Sequence, residues 1–179
     1  ELEKIMKAEN KLIQRENKRL YQYSKFRQTL LKSKKVLYLA DNSGEVVFDR
    51  LLLEEIKKID PSKEILYAVK SRPSINDALR KDAVQCGIDS VAKIITSGSD
   101  APGTVLSLCS SGFLKTYRKA DMVISKGQGN FEALSCSPRP VFFLFMAKCP
   151  VVADHIKCAM GSTILICSPR DRRGVKSGA

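Results

Sequence analysis

The stretch K-V-L-Y-L-A-D-N-S-G-E-V-V-F-D, from Lys35 to Asp49, decides how the chain folds. An apolar run, Val36 to Ala40, stops at Asp41-Asn42-Ser43-Gly44. A helical pattern begins at once, with Val46, Val47, Leu51 and Leu52 on one face. An apolar run, a polar turn with glycine and a helix read as the first strand, loop and helix of an α/β sheet. Open α/β sheets bind ligands at the carboxyl ends of their strands. Asp41 and Asn42 stand at such an end as an acidic and a neutral oxygen donor, which is half of a site for a hard cation. Asp, Asn and Ser also form turns and cap helices, the commoner use, and this stretch alone leaves both readings open.

The same alternation continues along the chain. Strands are expected at Glu64 to Val69, Val91 to Ile95, Asp121 to Ser125, Pro140 to Ala147 and Thr163 to Cys167. The run from Pro140 to Ala147 is continuously apolar, as in a central parallel strand buried on both faces. The first helix is expected to end near Ile59. A second carries Ala78, Leu79, Ala83 and Val84 and closes at Gly87, a third spans Val105 to Tyr117, and a fourth holds Phe131 to Leu134. Strands alternating with helices predict a three-layer α/β/α, Rossmann-like fold with a mostly parallel sheet of about six strands and right-handed crossovers. Residues 1–33 lack Pro and Gly and read as an amphipathic helical arm of one or two helices, residues 34–168 as the α/β core, and residues 169–179 as a basic tail. The first residue is Glu1 and not Met, as in a fragment or a trimmed chain; in a fragment, part of what the arm's apolar stripe packs on would be missing.

At 179 residues and 44% hydrophobic, the chain is large enough for one domain with a real core. No apolar run approaches the roughly 20 residues that cross a bilayer, and no secretory signal is visible, so no membrane partner is expected. The six cysteines include no C-x-x-C pair, and His155 is the single histidine, which argues against zinc of the usual spacing. Most of them sit in or beside apolar runs, as small buried hydrophobes of a reduced, cytoplasmic protein. The net charge of +12 raises nucleic acid as a partner. Residues 1–35, however, hold 11 Lys and Arg against 4 Asp and Glu, so the excess lies mostly in the arm, where a basic helix face simply meets water.

Parallel strands bring their following loops to one edge of the sheet. That edge collects Asp41 and Asn42, then Asn76 and Asp77, then Ser99, Asp100 and Thr104, then Lys126, Gly127, Gly129 and Asn130, and finally Lys148. Asp41, Asn42 and Asp77 are oxygen donors of the kind a hard divalent cation takes. The loop K-G-Q-G-N suits a phosphate, because glycines at a helix start leave N–H groups open to an anion. It is neither a P-loop nor the dinucleotide G-x-G-x-x-G. Lys148 can place a point charge on a phosphate oxygen. Cation, phosphate cradle and lysine together describe phosphoryl chemistry.

Five segments, D-N-S-G-E-V-V-F-D, S-I-N-D-A, G-S-D-A-P-G-T, K-G-Q-G-N-F-E and M-A-K-C-P-V-V-A, occur in the order found in the damage-control phosphatase family, long catalogued as domain of unknown function 89. The chain resembles that family from about Val36 to Cys167, and its archaeal and bacterial branch most of all. The resemblance implies a metal-dependent phosphatase that hydrolyses phosphomonoesters of small, damaged or side-product metabolites, with manganese, cobalt, nickel or magnesium as its divalent ion. It implies that Asp41, Asn42 and Asp77 ligate the metal and carry catalysis, that Lys126 to Glu132 form the phosphate loop, and that Lys148 binds substrate. Glu45 and Asp49, four apart on one helix face, and Asp100 are left as possible supports of the ligands. For Glu45 the alternative is an acid favoured at a helix N-terminus, and for Asp49 a surface charge. Members of this branch carry a longer helical region before the sheet, often with a C-x-x-C pair.

The expected activity is metal-assisted attack of water on a phosphomonoester, with Asp41 a candidate to take the water's proton. Ser43 stands where a D-x-D arrangement would have its second acid, which disfavours a covalent aspartyl-phosphate. The alternatives are a non-catalytic module that binds a phosphorylated metabolite and a nucleic-acid-binding α/β protein. A methyltransferase-like domain fits less well, because the first loop lacks a glycine-rich cofactor turn. Substrate identity and oligomeric state are not set by the sequence.

Overall fold

The computed structural model describes residues 19–168, so residues 1–18 of the arm and the whole basic tail, residues 169–179, lie outside the described residues. The strands are β1 (Lys35–Leu39), β2 (Glu64–Val69), β3 (Lys93–Thr96), β4 (Met122–Lys126), β5 (Val141–Met146) and β6 (Thr163–Ser168). The helices are α1 (Tyr23–Lys32), α2 (Val46–Ile59), α3 (Arg80–Gln85), α4 (Ser111–Lys119), α5 (Gln128–Leu134) and α6 (Pro150–Ile156). The sheet order is β3-β2-β1-β4-β5-β6, parallel throughout except that β6 runs antiparallel to β5. Sequence order reverses between β1 and β4, the switch point where open α/β sheets form their ligand crevice.

Side chains alternate across a strand, so each strand feeds two cores. Val36 and Tyr38 of β1 pack on one side with Phe26 and Leu30 of α1, Val46, Leu53 and Ile56 of α2 and Ala83 of α3. Leu37 and Leu39 pack on the other with Phe113 and Tyr117 of α4, Phe131 and Leu134 of α5 and Val152 and Ile156 of α6. These are the three layers of the expected α/β/α fold. All six cysteines are free, two of them buried and Cys136 exposed. Among the described residues, no helix is long and apolar enough to cross a membrane.

Several expected boundaries move, each for a local reason. The arm is interrupted before α1: Tyr21 pairs in parallel with Leu165, the Gln22 N–H donates to the Leu165 carbonyl at 2.7 Å, and the Leu165 N–H donates to the Leu20 carbonyl at 2.8 Å. This short extended segment covers the outer edge of β6. The helix expected from Val105 is instead a 3-10 turn, Leu106–Leu108, followed by α4, because Ser110 is extended and its hydroxyl accepts the Phe113 N–H as an N-cap. The third strand starts at Lys93, since Val91 closes a 3-10 turn over Ile88–Ser90. Helix α3 starts at Arg80, because the Ala78 N–H donates to the Asp41 carbonyl and the Ala78 carbonyl accepts the Lys70 N–H.

Helix α2 turns a different face inward than its apolar pattern predicts. Val46, Asp49, Leu53 and Ile56 are buried, whereas Val47 and Leu51 are exposed. The inward face carries an acid because Asp49 finds partners there, the hydroxyls of Tyr38 and Tyr67. Removing a fully buried leucine from this face should be costly. Leu53→Ala is expected to lose about 2–5 kcal/mol of stability, read as a lower urea midpoint; a loss below about 1 kcal/mol would mean that α2 does not pack there.

Candidate active site

The site is assembled from backbone before any side chain is considered. The Ser43 N–H donates to the Asn76 carbonyl at 2.8 Å and the Ala78 N–H to the Asp41 carbonyl at 2.7 Å, so Asn42 and Asp77 face each other as an antiparallel bridge. The loops after β1 and β2 are thus joined, and Asp41, Asn42 and Asp77 come together at one edge of the sheet. Asn42 also caps: its Oδ1 accepts the Gly44 N–H at 2.7 Å and starts the 3-10 turn Ser43–Glu45 that leads into α2.

Asp41 lies directly against the end of β4. A Cβ placed on Gly127 would sit 2.0 Å from Asp41 Oδ2, and Gly127 has a φ of 80°. Glycine is required at this position on both counts. The Asp41 carboxyl is pushed up to about 6, first by burial and then by the negative charges of Asp77 and Glu45, while Lys126 and Lys148 pull it back. Burial and the like charge of Asp77 thus both disfavour the charged form of Asp41.

The remaining predicted residues divide by what their atoms already hold. The Lys126 ammonium lies 2.7 Å from Glu45 Oε2 and 3.0 Å from Asp49 Oδ1. Burial alone would lower its pKa, but Asp49 and Glu45 hold it above the ordinary lysine value. Asp49, 1% exposed, also accepts the Tyr38 hydroxyl at 2.6 Å and the Tyr67 hydroxyl at 2.7 Å, and both phenols are pushed up by burial and by Asp49. Asn130 is buried and bonded on both ends of its amide: Nδ2 donates to the carbonyls of Ala40 and Lys126, and Oδ1 accepts from the Thr104 hydroxyl at 2.7 Å. The Gly127 N–H is taken by the Leu144 carbonyl. Gly129, in the first turn of α5, lies beside Gly103, on which a Cβ would lie 2.5 Å from the Gly129 carbonyl oxygen. Lys148 is exposed, its N–H fixed by Gln128 Oε1 at 2.9 Å. Asp100 is exposed on the loop after β3 and stands apart from this bonded cluster.

One residue of the cluster is absent from the sequence-based set. Lys70, which follows β2, places its ammonium 3.3 Å from Asp77 Oδ2. A signal existed: Lys70, Lys126 and Lys148 each end an apolar strand run at the same sheet edge, and only the latter two lie in segments that resemble the family's binding motifs.

A family model described as the damage-control phosphatase ARMT1-like domain matches residues 1–164. An uncharacterized protein of Methanocaldococcus jannaschii is 45% identical over 137 residues, covering 74% of this chain and 44% of its own length. A damage-control phosphatase of Pyrococcus horikoshii is 39% identical over 165 residues, covering 92% of this chain and 54% of its own length. A damage-control phosphatase of Archaeoglobus fulgidus is 38% identical over 136 residues, covering 75% and 46% respectively. The crystal structure of a protein from Pyrococcus horikoshii, described as belonging to domain-of-unknown-function family 89, superposes with a TM-score of 0.79 at 35% identity, covering 85% of this chain and 53% of that one. The chain spans about half the length of the curated relatives it matches.

The raised Asp41 carboxyl has a stability consequence. A carboxyl whose pKa is higher folded than unfolded binds its proton more tightly in the folded state, so stability is lost as pH rises from the ordinary carboxylate value to about 6. Asp41→Asn should therefore raise the melting temperature of the metal-free protein above pH 6, with the gain fading as pH falls toward 4. A variant no more stable than the parent at pH 7.5, by calorimetry in EDTA, would contradict a raised Asp41 carboxyl.

Proposed function

The chain belongs to the damage-control phosphatase ARMT1-like family, and on that premise we propose that it is a metal-dependent phosphatase acting on phosphomonoesters of small metabolites. The observation that carries this reading is the meeting of Asp41, Asn42 and Asp77 at the sheet's switch point, with Lys126 and Lys148 close enough to act on Asp41.

The donor set fits a hard divalent cation such as manganese, cobalt, nickel or magnesium. Among the described residues, no three His, Cys, Asp or Glu side chains cluster as a metal site, so a cation here would rest on two carboxylates and one amide oxygen. Such all-oxygen sets suit these ions, and a cation would offset the negative charges of Asp77 and Glu45 that, after burial, raise Asp41. When bound, the ion supplies Lewis-acid polarisation of the phosphate and a more acidic water.

The chain's own groups do the rest. Asp41 is the candidate to accept the attacking water's proton on a carboxylate oxygen, since it is placed both to hold the cation and against Gly127, where the proposed phosphate loop begins. Lys148, exposed at the end of β5, has the reach and freedom to meet a phosphate oxygen. In this reading the N–H groups of Gln128 to Asn130, which precede the first bond of α5 from the Phe131 N–H to the Gly127 carbonyl, are the donors offered to a phosphate. Lys126, held by Glu45 and Asp49, contributes positive potential beside Asp41 rather than a free hand for substrate. The expected substrate is a small phosphorylated metabolite, and the expected setting is the cytoplasm.

Phosphate release from p-nitrophenyl phosphate with Mn²⁺, Co²⁺ or Ni²⁺ tests this reading. Asp41→Ala and Asp77→Ala should each lower kcat/KM by about 100-fold or more, and EDTA should abolish turnover. Metal-dependent release that survives both substitutions would move the chemistry elsewhere. Metabolite binding without turnover under any of these metals would favour a non-catalytic module.

A further inference from the structure

We propose that Lys70 is a positioning residue: its buried ammonium aims the Asp77 carboxylate and ties the loop after β3 to it. The inference rests on the reading of Asp41, Asn42 and Asp77 as the groups that hold the cation.

Lys70 is 7% exposed, and its ammonium meets three acceptors. The Ala101 carbonyl lies at 2.6 Å, the Gly103 carbonyl also accepts, and Asp77 Oδ2 stands 3.3 Å away. An ammonium has three N–H donors and no acceptor. Two of those donors are hydrogen-bonded to the carbonyls, and the buried charge stands in ion-pair range of Asp77 rather than in solvent. That separates it from Lys148, which ends β5 and is exposed. A buried cation is tolerated only when it is paired and hydrogen-bonded, so these three contacts hold the side chain in one place.

Asp77 is thereby held twice. Its backbone is fixed by the bridge to Asn42, which sets where the residue sits. Its side chain is fixed by Lys70, which sets where the carboxylate points. A carboxylate has two oxygens; Lys70 engages Oδ2, and Oδ1 is the one left to take a cation.

The same ammonium reaches further through the loop it binds. Gly103 approaches Gly129 so closely that a Cβ on it would clash with the Gly129 carbonyl, and Thr104 donates to Asn130. Asn130 in turn holds the carbonyls of Ala40 and Lys126. Lys70 thus links the ligand-bearing loop after β2 to the loops after β1, β3 and β4. A role confined to loop stability would leave cation affinity untouched; aiming Asp77 would not.

Mn²⁺ titrations of the protein, followed by the electron paramagnetic resonance of free Mn²⁺, test this on wild type, Lys70→Gln, Asp77→Asn and the double variant, with thermal unfolding to verify folding. Lys70→Gln keeps two N–H donors for the carbonyls and removes the charge. Each single substitution should weaken Mn²⁺ binding about tenfold or more, and the double variant should bind no more weakly than Asp77→Asn alone, because coupled residues are non-additive. Wild-type affinity in folded Lys70→Gln, or losses that multiply in the double variant, overturns the proposal. Should Lys70→Gln fail to fold, Lys70→Arg keeps the charge beside Oδ2 and should bind Mn²⁺ within about threefold of wild type, whereas a tenfold loss overturns the proposal. If Asp77→Asn itself binds Mn²⁺ normally, the cation reading of the site falls and the Lys70 proposal with it. A loss in Asp77→Asn with none in Lys70→Gln sinks the Lys70 proposal alone.

Discussion

A single buried amide fixes where the loops of this fold meet. Asn130 donates to the Ala40 carbonyl at 3.0 Å and the Lys126 carbonyl at 2.8 Å, and accepts the Thr104 hydroxyl. Ala40 and Lys126 stand at the ends of β1 and β4, which pair in parallel as far as Leu39 and Ser125. Beyond that last rung the two following loops have no ladder bonds between them, and a side chain spans the gap. Once it does, the residues next in sequence, Asp41 and Gly127, are forced into contact, and only glycine fits against the Asp41 carboxylate. The geometry of the acidic site therefore follows from an amide that touches neither acid.

Charge follows the same pattern of internal use. Three strand-end lysines reach this sheet edge. Lys70 is committed to Asp77 and two carbonyls, and Lys126 to Glu45 and Asp49. Asp49 could not be buried with a single partner; the Tyr38 and Tyr67 hydroxyls satisfy its oxygens, and their stacked rings, 5.4 Å apart, are brought together by the register that places Tyr38 beside Tyr67. Of the three, Lys148 is the one whose side chain is exposed. The basic excess of the sequence thus says little about this crevice, where cations and acids pair locally and Asp41 stays raised by burial and by the charges of Asp77 and Glu45.

The strands were legible because strands buried on both faces read as continuous apolar runs, and β5 needed nothing more. The loops that follow them were legible as a shared edge, since parallel strands point one way. What local pattern could not supply were contacts across the chain. The start of α3 is set by Asp41, and the face of α2 by tyrosines on two strands. Glu45 and Asp49 could be paired by their spacing, but Lys126, the partner that joins them, lies 81 and 77 residues away. Asn130 illustrates the converse. Its residue type and its glycine-flanked position suit a phosphate, yet its side-chain amide is consumed by three loops. Ser110 is the most local case, a cap hidden inside what reads as one helix from Val105 to Tyr117.

The choice between cap and ligand at Asn42 turns out not to be exclusive. Its Oδ1 accepts the Gly44 N–H and so acts as the cap that the local pattern predicts. An amide oxygen has two lone pairs, and the cap takes one. In the proposed site the second faces the cation, and the cap is what fixes its direction beforehand, lowering the ordering cost of binding. An aspartate at this position would cap equally well. It would also add a third negative charge beside Asp41 and Asp77, in a crevice where burial and the charges of Asp77 and Glu45 already raise the Asp41 carboxyl to about 6. Asparagine supplies the oxygen without the charge. The amide is therefore the residue for which capping, cation binding and the electrostatics of the empty fold make compatible demands.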